Sequence, residues 1–163
     1  MSNPIVMESR DFEYLNTLLS DKKIADAVSD DASPKPGTFD IHIFDVVGAH
    51  LFMVTIDQEQ VGMFYFYPVT PGVWDMHTLM TEKCRGKSAL IAGRTAIAMM
   101  FTTYNAVNIT GRCPHTNLPS IVFAAHLGFK HVKTAQDWVK RGFTYMSTYY
   151  EITRNHWEEL CHS

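Results

Sequence analysis

Cys84-Arg85-Gly86-Lys87-Ser88-Ala89 joins an alternating run over residues 73–80 to the longest helical pattern of the chain, residues 87–104. In that pattern Ala89, Gly93, Ala96 and Met100 fall at 0, +4, +7 and +11, and Leu90, Ile97, Phe101 and Tyr104 at 0, +7, +11 and +14. Together they give one wide apolar helix face. A strand, a basic turn and a helix therefore follow one another. Gly86 permits the tight turn, Ser88 is small, and the free N–H groups of a helix start face whatever lies there. With Arg85 and Lys87 beside them, the physics is that of an anion site. The spacing matches neither the G-x-x-x-x-G-K-[ST] of a Walker loop nor the G-x-G-x-x-G of a dinucleotide fingerprint.

On the N-terminal side, Ile5 to Met7 reads as a first strand. Ser9 is placed to cap a helix over residues 10–19, where Phe12, Leu15 and Leu19 recur at helical spacing. Ser20-Asp21 caps a shorter helix carrying Ile24, Ala27 and Val28, and the Pro- and Asp-containing stretch 29–37 is a loop. From Phe39 the period switches to two, with Ile41 and Ile43 alternating with Asp40, His42 and Phe44, which predicts extended chain. Residues 50–56 and 61–67 are two further strands, and Asp57-Gln58-Glu59-Gln60 closes a hairpin between them. The aromatic run Phe64-Tyr65-Phe66-Tyr67 packs across a strand, with its outer rings candidates for an acceptor cleft.

On the C-terminal side, residues 106–111 predict a fifth strand, broken by Pro114. Residues 118–127 predict a buried helix that Gly128 closes. Residues 129–132 and 145–152 predict two more strands, with a last helical turn over 154–160. The order is β-α-α-β-β-β-α-β-α-β-β. A β-α-β unit after a meander makes the sheet mixed. The fold class is therefore α/β (α+β), a three-layer domain with a mixed, mostly antiparallel sheet of about seven strands and helices on both faces.

Composition sets the outer bounds. At 163 residues, 46% hydrophobic and 19% charged, the chain is one domain, 1–163, with enough apolar bulk for one core. Fourteen Lys and Arg against 17 Asp and Glu give −3, and no basic run exceeds Lys22-Lys23, so no nucleic acid is expected as a partner. Cys84, Cys113 and Cys161 form no CxxC pair, which excludes a disulfide framework or zinc knuckle. Cys113-Pro114-His115 offers two ligand types, too few for a metal site, so none is expected. Met1-Ser2-Asn3-Pro4 has no signal-peptide character and no apolar run approaches the roughly 20 residues of a membrane span. A cytoplasmic protein with no membrane partner is the expectation.

The segment Asn117-Leu118-Pro119-Ser120-Ile121-Val122-Phe123-Ala124-Ala125-His126-Leu127-Gly128-Phe129 places an Asn at a helix start and a Gly-Phe at its end. In this order and spacing, it and the 84–89 loop resemble the GNAT superfamily of N-acetyltransferases. The stretch Arg85-Gly86-Lys87-Ser88-Ala89 is similar to that family's pyrophosphate loop, R-G-K-G-x-G/A in its common form. Gln60-Val61-Gly62 fits the x-V/I-G that members often carry, and the likeness covers about residues 5–152. His77 and the ending Arg154-Asn155-His156-Trp157 look most like the ribosomal-protein-type and phage-encoded small acetyltransferases.

The resemblance implies acetyl-CoA as co-substrate. Its pantetheine arm would pair with the fourth strand near Leu79, Met80 and Thr81, helped by Asn117. Its pyrophosphate would take N–H groups from Arg85, Gly86, Lys87, Ser88 and Ala89. An amine, on a protein or a small molecule, would then attack the thioester directly. The common loop has Gly where this chain has Ser88, and Gly or Ala where it has Leu90. The tyrosine that often protonates the leaving thiolate would fall at Ala124, whereas Ser120 matches the serine of ribosomal-protein-type relatives. His77 is the candidate base, since an imidazole's ordinary pKa of about 6.5 suits proton removal near neutrality; Asp75 shares its strand face. Two readings stay open: a working N-acetyltransferase, or an inactive GNAT-fold binding or virion-associated module. A homodimer is also left open, and a phage-encoded chain would act in the host cytoplasm.

Overall fold

The computed structural model describes residues 3–35, 37–38 and 40–162. Phe39, where the expected alternation begins, lies outside them, as do Met1, Ser2, Pro36 and Ser163. The chain runs β1 (Ile5–Glu8), α1 (Phe12–Ser20), α2 (Lys22–Val28), β2 (His50–Ile56), β3 (Glu59–Thr70), β4 (Val73–Met80), α3 (Lys87–Thr102), β5 (Asn108–Pro114), α4 (Leu118–His126), β6 (Lys130–Lys140), β7 (Phe143–Thr153) and α5 (Arg154–Cys161). The strands form one seven-stranded sheet in the order β1-β2-β3-β4-β5-β7-β6. Its neighbours are antiparallel except β4 and β5.

Both sheet faces are buried, as the central strands' lack of polar alternation requires. Phe52, Val54, Phe64 and Phe66 turn to the α3 face and pack with Ala92, Ala96, Ile97 and Phe101. Their neighbours Leu51, Met53, Met63 and Tyr65 turn to the other face, against Phe12, Leu15, Leu18 and Ile24 of α1 and α2. The small residues along α3 let it lie close on the sheet. Gly93 marks where α4 meets it: a Cβ there would stand 2.9 Å from Leu127 and 3.0 Å from Phe123.

The structure departs from the sequence pattern in four places. Residues Ile41–Phe44 form a 3-10 turn, not a strand, because the Asp40 carboxylate accepts from the His42 N–H and starts a turn. Helix α1 is capped by Asp11, which accepts from Tyr14 N; Ser9 accepts one turn earlier, from Asp11 N. Strand β5 continues through Pro114. His115 N donates to Met146 O of β7, so strand alternation turns the proline nitrogen toward β4, where no ladder bond is required. Finally, β6 and β7 are longer than the pattern shows. The stretch between the two expected strands is itself hairpin, turned at Arg141 and Gly142 with φ of 53° and 75°.

Strands β4 and β5 pair only at Val73–Asn108, Trp74–Ile109 and Asp75–Thr110. Beyond that, β4 stays on β3 as far as Met80, and β5 stays on β7 as far as Pro114. The sheet splays between them. The hairpin tip is fastened back toward α2: the Asp31 carboxylate accepts from Arg141 N at 2.7 Å and Gly142 N at 2.8 Å. Those two amides hold its carboxyl below the usual aspartate range. A depressed folded value means the fastening contributes above the unfolded pKa and is lost as pH falls through the folded one. Amide exchange of Arg141 and Gly142 is expected to be protected at neutral pH and to lose that protection on acidification. Asp31→Ala should show the unprotected behaviour at all pH values; equal protection in variant and wild type would contradict the fastening.

Candidate active site

At the splay, the end of β4 turns its two edges to different partners. Thr81 donates both its N–H (3.0 Å) and its hydroxyl (2.8 Å) to Val61 O on β3. Alternation then directs the Leu79 backbone to β3 as well, and its side chain is buried against α1. Thr78 and Met80 face the gap. The Met80 carbonyl there accepts from Arg85 Nη2 at 3.1 Å, which folds the guanidinium back over its own loop.

Gly86 begins α3 with φ 57°, a left-handed conformation that disfavours any side chain, and a Cβ there would meet nothing within 4 Å. No side chain caps this helix, whereas Asp11, Asp21, Asn117 and Thr153 cap the other four. The first turn bond runs from Leu90 N to Gly86 O, leaving the preceding amides of a 16-residue helix pointing outward.

Two cavities meet at the gap. The larger, about 780 Å³, lies between α2, the 84–86 loop, the start of α3 and α4. Among the described residues its lining includes Lys23, Arg85 and His126 and no carboxylate. The smaller, about 230 Å³, is lined by Asp75, His77, Cys113, Trp138 and Tyr150 under the Asp30–Ser33 stretch. They share Ala27, Val28, Thr78, Asn117, Ser120 and Phe123 as a common wall.

Asn117 holds that wall in place. Its Oδ1 caps α4 at Ser120 N (3.2 Å) and its Nδ2 donates to Ala27 O at the end of α2 (3.1 Å). The Ser120 hydroxyl is without a hydrogen-bond partner among the described residues and borders both cavities. On the smaller side, His77 Nε2 lies 3.2 Å from Asp75 Oδ2, and Asp75 Oδ1 accepts from Thr110 Oγ1 at 2.9 Å. The imidazole is about half exposed beside that carboxylate. Burial, then the Asp75 carboxylate, pushes the Cys113 thiol up to about 11.

The structure thus brings Met80, Arg85, Gly86, Ala89, Asn117 and Ser120 round the larger cavity, and His77, Asn117 and Ser120 round the smaller. Leu79 is core, the Thr81 polar groups are committed to β3, and Lys87 and Ser88 stand in the first turn of α3 outside the lining. Tyr65 is not a cleft residue. It is buried, donates to Phe44 O, and burial pushes its phenol up to about 12. Thr78, Lys23 and Trp138 escaped the sequence reading. Each enters through pairing or packing with a distant element, which no local pattern marks.

No protein-family model and no curated protein matches the sequence. The architecture does match solved structures. A spermidine N-acetyltransferase from Vibrio cholerae, in complex with CoA and spermine, superposes with a TM-score of 0.79 at 14% identity, over 96% of this chain and 98% of that one. AAC(6')-Ib in complex with paromomycin and acetyl-CoA gives 0.73 at 16% identity, over 96% of each chain. A GNAT-family acetyltransferase from Bacillus anthracis gives 0.73 at 16% identity, over 95% of this chain and 98% of that one. The chain has the GNAT fold.

Asn117→Ala should cost about 1 kcal/mol of stability through the lost cap, with the α2 tether adding to it. Denaturant unfolding reads the loss, and an unchanged midpoint would show that the wall is held by packing alone.

Proposed function

We propose that the chain is an acetyl-CoA-dependent N-acetyltransferase of the cytoplasm, moving an acetyl group directly to a primary amine. One observation carries the reading: a carboxylate-free cavity at an uncapped helix start and a carboxylate- and imidazole-lined cavity share one wall where the sheet splays. The GNAT-fold neighbours solved with CoA or acetyl-CoA support it.

In this reading the α3 amides after Gly86, with Arg85 nearby, hold the pyrophosphate, and the gap-facing backbone of Thr78 pairs with the pantetheine arm. Bound acetyl-CoA supplies an activated acetyl thioester. The amine enters from the smaller cavity. His77, oriented by Asp75, takes the proton that the amine must shed to become a nucleophile, directly or through a water. Ser120 stands at the wall and gives a proton or hydrogen bond to the departing thiolate, which supports placing the chain with ribosomal-protein-type rather than tyrosine-acid members. Holding both reactants across one wall supplies the proximity that direct transfer needs.

Calorimetric titration with CoA is expected to show binding, and Gly86→Asp, which adds a carboxylate at the anion site, is expected to weaken it while the fold persists. No binding by the wild type would overturn the reading. Ser120→Ala and His77→Ala should each lower kcat by about 100- to 10,000-fold at unchanged CoA affinity. Wild-type rates in both would reject the assignment. Binding of CoA without transfer to any amine would leave the inactive binding module, which the alanine at 124 beside the smaller cavity favours.

A further inference from the structure

The smaller cavity takes its lining from both faces of the sheet, and its two halves differ in chemistry. On β4, Met76 packs with the α3-face core, while its neighbours Asp75 and His77 alternate to the other face. Gly111 of β5 and Tyr150 of β7, a directly opposed pair, share the α3 face with the buried Ile109 and Ile152. Helix α4 adds Phe123 and Ala124, and Leu127 follows it. This half is mostly apolar and carries no charged strand residue. It adjoins the larger cavity, which lies on the same face against Ala89 and Leu90, through the shared wall of Thr78, Ser120 and Phe123.

Two small residues keep that half open. Gly111 is the first residue of β5 beyond the last β4–β5 pair, Asp75–Thr110. Its φ is not positive, and a Cβ there would meet only the Met76 carbonyl oxygen, at 3.9 Å. No turn or packing contact therefore demands glycine, and a glycine inside a strand often marks a close approach by a ligand. Ala124 stands one helix turn beyond Ser120 on α4, and both border the cavity. The cavity volume is about 230 Å³, whereas a group the size of a water or an acetyl methyl takes about 30 Å³. Among the described residues, the cationic types in the lining are His77 and Arg112, and both alternate to the opposite face. A chain ending in a carboxylate would be buried in the α3-face half without a partner, which is unfavourable.

Resting on the acetyltransferase reading above, we infer that this half is an acyl pocket, and that the chain accepts CoA thioesters of unbranched apolar acyl groups longer than acetyl, of three or four carbons. The thioester lies at the wall beside Ser120, and the acyl chain extends past Ala124 and Gly111. Chain length leaves the reaction unchanged. The amine nitrogen bonds to the acyl carbon, the carbon–sulfur bond breaks, and the proton that the nitrogen sheds ends on the CoA thiolate.

Calorimetric titration with S-ethyl-CoA and S-butyl-CoA, unreactive thioethers with the carbon counts of acetyl and butyryl thioesters, reads the pocket without any acceptor. The wild type is expected to bind the butyl thioether about 4- to 16-fold more tightly, the gain from burying one or two methylenes. Gly111→Val and Ala124→Val fill the pocket from different elements, and each should remove that gain. Equal affinities in the wild type, or a gain that survives in both variants, overturn the inference. In transfer to a panel of primary amines, kcat/KM with butyryl-CoA is expected to be no lower than with acetyl-CoA. It should also exceed that with succinyl-CoA, whose chain has the same length and ends in a carboxylate. The reverse order in either comparison overturns the inference as well. Binding of neither thioether defeats the acetyltransferase reading itself, whereas equal binding of both defeats only the acyl pocket.

Discussion

The parting of β4 from β5 after three paired residues is the constraint on which the rest of the structure depends. Each strand keeps a full antiparallel partner on its other side, so the opening sacrifices one edge of each and not the strands themselves. The exposed edge of β4 is then partly satisfied from within, by Arg85 on the Met80 carbonyl. What stays unpaired, around Thr78, is backbone directed into a cavity. Helix α4 keeps the opening in shape. Its Phe123 and Leu127 close on Gly93 of α3, and its cap residue reaches across to α2.

The same opening sorts charge. On the α3 side, the oriented amides of an uncapped helix and Arg85 face a cavity with no carboxylate in its lining among the described residues, while Lys23 at its rim is paired with Glu82. On the β5 side, Asp30 and Asp75 dominate, since Arg112 is neutralised by Asp137. The two cavities thus differ in the charge of their linings across the wall they share.

How much of this was legible in the sequence depends on the range of the interaction. Strands β2 and β4, the 84–89 turn and the caps at Asp21 and Asn117 follow from neighbours in the chain, and they stand where the pattern puts them. The turn at Ile41–Phe44 was misread because an alternating apolar pattern carries no mark of a carboxylate that captures the backbone first. The β6–β7 hairpin was misread because an edge ribbon with polar faces lacks the hydrophobic alternation used to find strands. At the site, the residue types were visible but their backbone orientation was not. Whether Thr78 or Thr81 faces the gap is set by which amide bonds to Val61, a contact 20 residues away.

The titrating groups around the two cavities also bear on the chemical route. A covalent acetyl-enzyme needs an activated nucleophile. Cys113, pushed up to about 11, and Cys84, pushed up by its burial, stay protonated at neutral pH and are poor nucleophiles. The Tyr150 phenol is likewise pushed up by burial. Ser120 has no base bonded to its hydroxyl among the described residues, so nothing there prepares it to attack a carbonyl. Among the described residues lining the two cavities, Asp75 lies 3.2 Å from His77 Nε2 and accepts from the Thr110 hydroxyl, on the smaller cavity's side of the wall. Nothing bonded to Ser120 links it to that imidazole, although both border the smaller cavity. The arrangement therefore favours one direct displacement at the wall over two steps through the protein.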